Sequence, residues 1–88
     1  MKVTFTELAW EQYMTWVSGD KDVLRRINEL IKDIQRQGLH TGIGKPEPLK
    51  GRKEWSRRIT QTHRLVYTLN SDKDLVIVSC TGHYKDHG

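Results

Sequence analysis

Four of the seven glycines and both prolines of this 88-residue chain fall between positions 37 and 51, and they separate two halves whose hydrophobic periods differ. Ahead of that stretch, after a short apolar start, hydrophobic residues recur at helical spacing; behind it they alternate as in strands. Glycine adopts backbone conformations that other residues resist and proline withholds an amide donor, so the segment reads as a loop. Helices collected on one side of a loop and strands on the other point to an α+β domain rather than to alternating βα units. The length fits a single domain, residues 1–88, with a modest core and residues 85–88 as a flexible tail.

Residues 2–5 read as a short strand. Thr6 then caps a helix with Glu7 in its first turn and Ala9, Tyr13, Trp16 and Val17 on one side. Ser18-Gly19-Asp20 interrupts the pattern, and Asp20 caps a second helix whose stripe is Val23, Ile27, Leu30, Ile31 and Ile34, ended by Gly38. So short a connection makes the two helices an antiparallel hairpin, with Lys21, Arg25, Arg26, Lys32 and Arg36 toward its polar side. Strands follow at 55–60, 64–70 and 75–82, joined by turns at 61–63 and 71–73. The order βααβββ predicts a helical hairpin packed on one face of an antiparallel sheet.

Fifteen Lys and Arg against eleven Asp and Glu leave a net charge of +4, which favours a polyanionic partner or else a merely soluble basic surface. Cys80 is the only cysteine, so no internal disulfide forms, and its setting in the run LVIVSC predicts a buried structural thiol. No segment approaches a membrane span and the N-terminus lacks a signal-peptide core, so a cytoplasmic protein is expected. The four histidines at 40, 63, 83 and 87 show none of the paired spacings of zinc sites, and no metal or cofactor is expected. GKPEP has neither phosphate-loop nor dinucleotide-loop spacing, and no serine sits in a nucleophile elbow.

What remains is a carboxylate held between two prolines, several arginines and a late histidine. Pro46 and Pro48 stiffen the backbone around Glu47. Strand alternation puts Ser56, Arg58 and Thr60 on one side of the first of these strands, Arg64, Val66 and Thr68 on one side of the next, and Ser79, Thr81 and His83 on one side of the last. If the three sets face alike, Arg58, Arg64 and His83 converge opposite the helices, where Glu47 can reach. Such a set suits RNA phosphodiester cleavage without metal: Glu47 as base toward the 2′-hydroxyl, Arg64 and Arg58 for the charge on the phosphorane, His83 as acid to the departing 5′-oxygen. A free carboxylate is a weak base toward an alcohol, which points to an external scaffold that aligns the substrate. Tyr84 is either a base-stacking ring or a lid on the core. Taken singly, Glu47 reads first as a loop carboxylate, Arg57 and Arg58 as an exposed-strand charge pair, Arg64 as a surface residue and His83 as a chain-end histidine; it is their joint presence that weighs against this.

GKPEPLK, WSRRIT, HRLVY, the closing HY and RINELIKD at 26–33 together resemble the YoeB subgroup of RelE-type bacterial toxins, in order and over residues 2–84. The resemblance implies a RelE-like fold and a toxin of a type II toxin–antitoxin system that acts as a ribosome-dependent mRNA endonuclease, an mRNA interferase cutting the codon in the decoding site. It implies Glu47 as general base, Arg64 as transition-state stabiliser and His83 as general acid, with Lys50, Arg58 and Tyr84 as substrate contacts. It also implies a YefM-like antitoxin and admits a homodimer and operator DNA bound by the toxin–antitoxin complex. Two departures stand out: GRKE between PLK and WSRR is shorter than usual, and Lys85-Asp86-His87-Gly88 extends past the HY pair. The alternatives are a non-catalytic toxin of RelE/ParE fold, such as the relatives that act on DNA gyrase, and a plain nucleic-acid-binding module.

Overall fold

The computed structural model describes residues 1–82. Its elements are β1 (Val3–Phe5), α1 (Glu7–Val17), α2 (Lys21–Gln37), β2 (Glu47–Pro48), β3 (Trp55–Arg58), β4 (Arg64–Leu69) and β5 (Leu75–Ser79). Local chemistry fixes the helix ends. Thr6 Oγ1 accepts from the Ala9 N–H at 3.0 Å, and Asp20 Oδ1 accepts from the Asp22 and Val23 N–H groups at 2.9 and 3.2 Å. These bonds satisfy donors that a first helical turn leaves unpaired. Gly38 closes α2 at φ 90°, its N–H donating to the Ile34 carbonyl at 2.8 Å.

The α+β arrangement stands: two helices pack on one face of a five-stranded sheet of order β1-β5-β4-β3-β2. Ala9, Val23, Ile27, Leu30 and Ile34 of the helices meet Leu65, Tyr67, Leu75 and Ile77 of the sheet. The sheet is mixed, however, and not antiparallel throughout. β1 lies parallel to β5, Val3 opposite Leu75 and Phe5 opposite Ile77. With β3 on the other side of β4, the outer edge of β5 is where β1 pairs its backbone, and the long intervening chain provides the crossover that a parallel neighbour needs.

The loop expected over 37–51 also contains a strand. Glu47 and Pro48 pair antiparallel with Ser56 and Trp55, which makes β2 the outer strand beside β3. Proline is tolerated there because an edge strand has amide positions outside the ladder. Between β4 and β5 the register slips: Tyr67 pairs with Ile77 but Val66 pairs with Ser79, so Val78 is an extra residue. Alternation from Ile77 would leave Ser79 on the helix side, and the bulge turns it to the side of Val66. Among the described residues, no helix is long and apolar enough to cross a membrane.

Candidate active site

Directly opposed residues of an antiparallel ladder point to the same side, as do residues two apart along a strand. Glu47 is opposite Ser56, Ser56 opposite Val66, and Arg58 opposite Arg64. Trp55 and Arg57 belong to the other side, with Tyr67 and Leu65 as partners. Glu47, Arg58 and Arg64 therefore share the face turned away from the helices. Arg58 is the diagonal cross-strand neighbour of Glu47, a relation that spans about 7–8 Å between Cα atoms and lies within reach of long side chains. Glu47 and Arg58 are exposed and Arg64 is partly buried. Lys50, also exposed, lies in the connection from β2 to β3, which is closed by the Leu49 N–H on the Glu54 carbonyl at 2.9 Å.

Arg64 is anchored on its own turn. Its Nη1 donates to the carbonyls of Thr60, Gln61 and His63 at 2.9, 3.3 and 3.2 Å. The end of the described chain is held beside it: the Arg64 N–H donates to the Gly82 carbonyl at 3.0 Å, and His63 Nδ1 accepts from the Gly82 N–H at 2.8 Å. The His63 ring stands edge-on to Trp16 at 4.9 Å. His83 and Tyr84, the expected acid and stacking ring, lie outside the described residues, as does the 85–88 tail.

Arg57 is not part of an exposed charge pair. It is fully buried on the helix side of β3, between Trp55 and the buried Ile59. All five guanidinium N–H positions are engaged. Nε donates to Tyr67 Oη at 3.0 Å, Nη1 to Asp33 Oδ2 at 2.6 Å and to the Ile43 carbonyl at 3.1 Å. Nη2 donates to the Gly38 and Thr41 carbonyls at 2.8 and 2.6 Å. Tyr67 Oη donates in turn to the Leu39 carbonyl at 2.7 Å, and Asp33 Oδ2 accepts the Ile43 N–H at 2.9 Å. A buried cation needs such a full set of acceptors, since each donor left bare costs about 1–3 kcal/mol.

Burial alone would raise the Asp33 pKa. The Ile43 N–H, the hydrogen bond and charge of Arg57 and the charge of Arg36 outweigh it and hold the carboxyl below its ordinary 3.8. Burial raises the Tyr67 phenol above 10 despite Arg57, so it serves here as a neutral hydroxyl. Cys80 is buried too, and burial pushes its thiol up to about 11, which makes it a structural thiol as the apolar run predicts.

The Arg57 network is what reading the sequence missed. Its signal was present: Arg57 falls in register with Trp55 and Ile59 on the apolar side of a strand, and Asp33 falls three residues after Leu30 on the apolar stripe of a helix. A charge on each of two facing apolar stripes is the pattern of a buried pair.

The sequence matches the YoeB-like toxins of bacterial type II toxin–antitoxin systems over residues 5–84. It is 54% identical to Toxin YoeB of Synechocystis sp. over 87 residues, covering 97% of this chain and 99% of that protein. Among solved structures, the YoeB dimer from Staphylococcus aureus superposes with a TM-score of 0.89 at 45% identity, covering 96% of this chain and 98% of that one. The YoeB–YefM complex from the same organism gives 0.87 at 44% identity, again over 96% and 98%.

Proposed function

The chain belongs to the YoeB-like toxins of bacterial type II toxin–antitoxin systems, and from that premise we propose that it is a ribosome-dependent endonuclease of mRNA that needs no metal. The observation that carries the reading is the placement of Glu47, Arg58 and Arg64 on one face of the sheet at neighbouring register positions. A base and two cations so arranged can bracket a phosphodiester.

Glu47 takes the proton of the 2′-hydroxyl, and the 2′-oxygen attacks phosphorus. Arg64, with Nη1 fixed on its turn, offers Nη2 and Nε to the equatorial oxygens as charge accumulates, and Arg58 and Lys50 hold the flanking phosphate. His83 gives a proton to the departing 5′-oxygen, leaving a 2′,3′-cyclic phosphate and a 5′-hydroxyl; Tyr84 stacks on a base. The roles of His83 and Tyr84 rest on the motif alone. An exposed glutamate base gains its effectiveness from a substrate aligned by something larger, which is the part assigned to the ribosome in the cytoplasm. The likeness to the S. aureus YoeB–YefM complex and YoeB dimer supports a YefM-like antitoxin as partner, here the agent that neutralises the toxin, and a pairing of two copies.

The test maps mRNA 5′ ends after induction and on programmed ribosomes. Glu47→Ala, Arg64→Ala and His83→Ala each lower the cleavage rate at least about hundredfold, the contribution of a positioned acid, base or charge stabiliser. Full cleavage by all three variants, or cuts unrelated to reading frame, would overturn the assignment.

A further inference from the structure

We propose that Arg57, which touches no substrate in the scheme above, is a positioning residue for the cleavage reaction: by fastening the segment that precedes β2 it sets where Glu47 stands relative to Arg58 and Arg64. The inference rests on the reading of Glu47 as base.

Packing alone does not call for an arginine at this position. An aliphatic residue between Trp55 and Ile59 would fill the helix side of β3 without the desolvation cost of a cation. What the guanidinium does is gather carbonyls. Three of its five bonds go to Gly38, Thr41 and Ile43, and Tyr67, itself bonded to Arg57, takes Leu39. That stretch has no regular secondary structure, so these bonds substitute for a ladder in fixing its path.

The path leads directly to Glu47. The Gly44 carbonyl accepts the Arg58 N–H at 2.7 Å, immediately after the carbonyl of Ile43 is held by Arg57. Only Lys45 and Pro46 then intervene, Lys45 in the left-handed region at φ 54° and Pro46 with its ring-fixed φ. β2 itself is two exposed residues long at the sheet edge, and Pro48 brings no amide donor to it. Arg57 meanwhile is flanked in sequence by Ser56, the cross-strand partner of Glu47, and by Arg58. One side chain therefore ties the approach of the base to the strand that carries the phosphate contact. A general base acts only within hydrogen-bond reach, and a displacement of about 1 Å can cost on the order of a hundredfold in rate.

Two variants of the full chain test this on programmed ribosomes under single-turnover conditions. Tyr67→Phe removes only the hydroxyl that links Arg57 Nε to the Leu39 carbonyl. Arg57→Lys keeps the charge facing Asp33 but offers three donors in place of five. The rate at saturating ribosomes falls about tenfold for Tyr67→Phe and about hundredfold for Arg57→Lys, while the half-saturating ribosome concentration stays within about twofold. In a Glu47→Ala background, adding Tyr67→Phe changes nothing further, because no base is left to position. Should Arg57→Lys fail to fold by circular dichroism, Tyr67→Phe decides alone. A Tyr67→Phe loss of equal size with and without Glu47 would overturn the inference, as would wild-type rates in the variants beside an inactive Glu47→Ala. Wild-type cleavage by Glu47→Ala would instead remove the base assignment and this inference with it.

Discussion

Asp33 is the acidic member of a buried pair, and its ionisation joins α2 to the loop through Arg57 and the Ile43 amide. Removing one charge from such a pair leaves the other buried and uncompensated, a loss of about 3–5 kcal/mol. Asp33→Asn is therefore strongly destabilised at pH 7 in urea unfolding. Because the folded carboxyl titrates below its ordinary 3.8, the stabilisation is fully present above that value and is lost as the pH falls through the folded pKa. The gap between wild type and Asp33→Asn accordingly narrows in acid, and a gap that widened below pH 4, or was absent at pH 7, would contradict the pairing. At this scale the sequence was legible for residues whose role follows from local pattern. Thr6, Asp20 and Gly38 act as caps because the bonds they make reach no farther than one helical turn. Arg57 and Arg58 were harder to separate, since two adjacent arginines have the same local chemistry and it takes the register with Trp55 and Ile59, together with Asp33 on the facing stripe of α2, to tell which one is buried.

The segment from Gly38 to Pro46 is an element without regular structure, and its Gly42 differs from Gly51 of the β2–β3 connection in what a side chain would meet. Gly42 has φ 126°, and a Cβ built on it would lie 2.0 Å from Asp33 Oδ2 and 2.7 Å from Arg57 Nη1. Gly51 has φ 72° but no atom within 4 Å of the same position. Gly51→Ala thus bears only the left-handed backbone penalty, about 1–2 kcal/mol, whereas Gly42→Ala also forces the ion pair apart and costs about 3–5 kcal/mol. Urea midpoints measured side by side check the difference; equal losses would mean that the loop yields and that the network does not depend on close approach at Gly42. Element types were readable because the hydrophobic period changes from helical to alternating across the loop. Three things were not. β1 joins β5 across 72 residues, β2 is too short to show a period, and the bulge at Val78 reflects a register that only the paired strands define. Of the candidate site, alternation put Arg58 and Arg64 each on the polar side of its strand, while their common face, the pairing of Glu47 with Ser56 and the Arg57 network are long-range products of the fold.

The whole molecule separates two kinds of positive charge. Arg58, Arg64 and Lys50 belong to the sheet face and its hairpin, whereas Arg25 and Lys32 stand exposed on α2, in the layer on the other side of the sheet. Arg25 is paired with Asp22 at 2.8 Å, but both side chains are largely in solvent, so the pair adds little to stability. Cations placed behind the site act on a polyanion through the field of the molecule, which speeds encounter, is screened over roughly 8–10 Å at moderate salt and does not touch the reacting phosphate. Substituting Arg25→Gln together with Lys32→Gln removes two positive charges from a net +4. On programmed ribosomes the double variant associates about threefold more slowly at low ionic strength, a difference that disappears near 0.5 M salt, on the order expected for steering. Its cleavage rate at saturation stays at the wild-type value, while Arg58→Ala lowers that rate at every salt concentration because the proposed scheme gives Arg58 a phosphate to hold. If the α2 variant lost saturated rate as Arg58→Ala does, the helix layer would have to meet the ribosome or its RNA in the reacting complex, and the division between a steering layer and a cleaving face would fall.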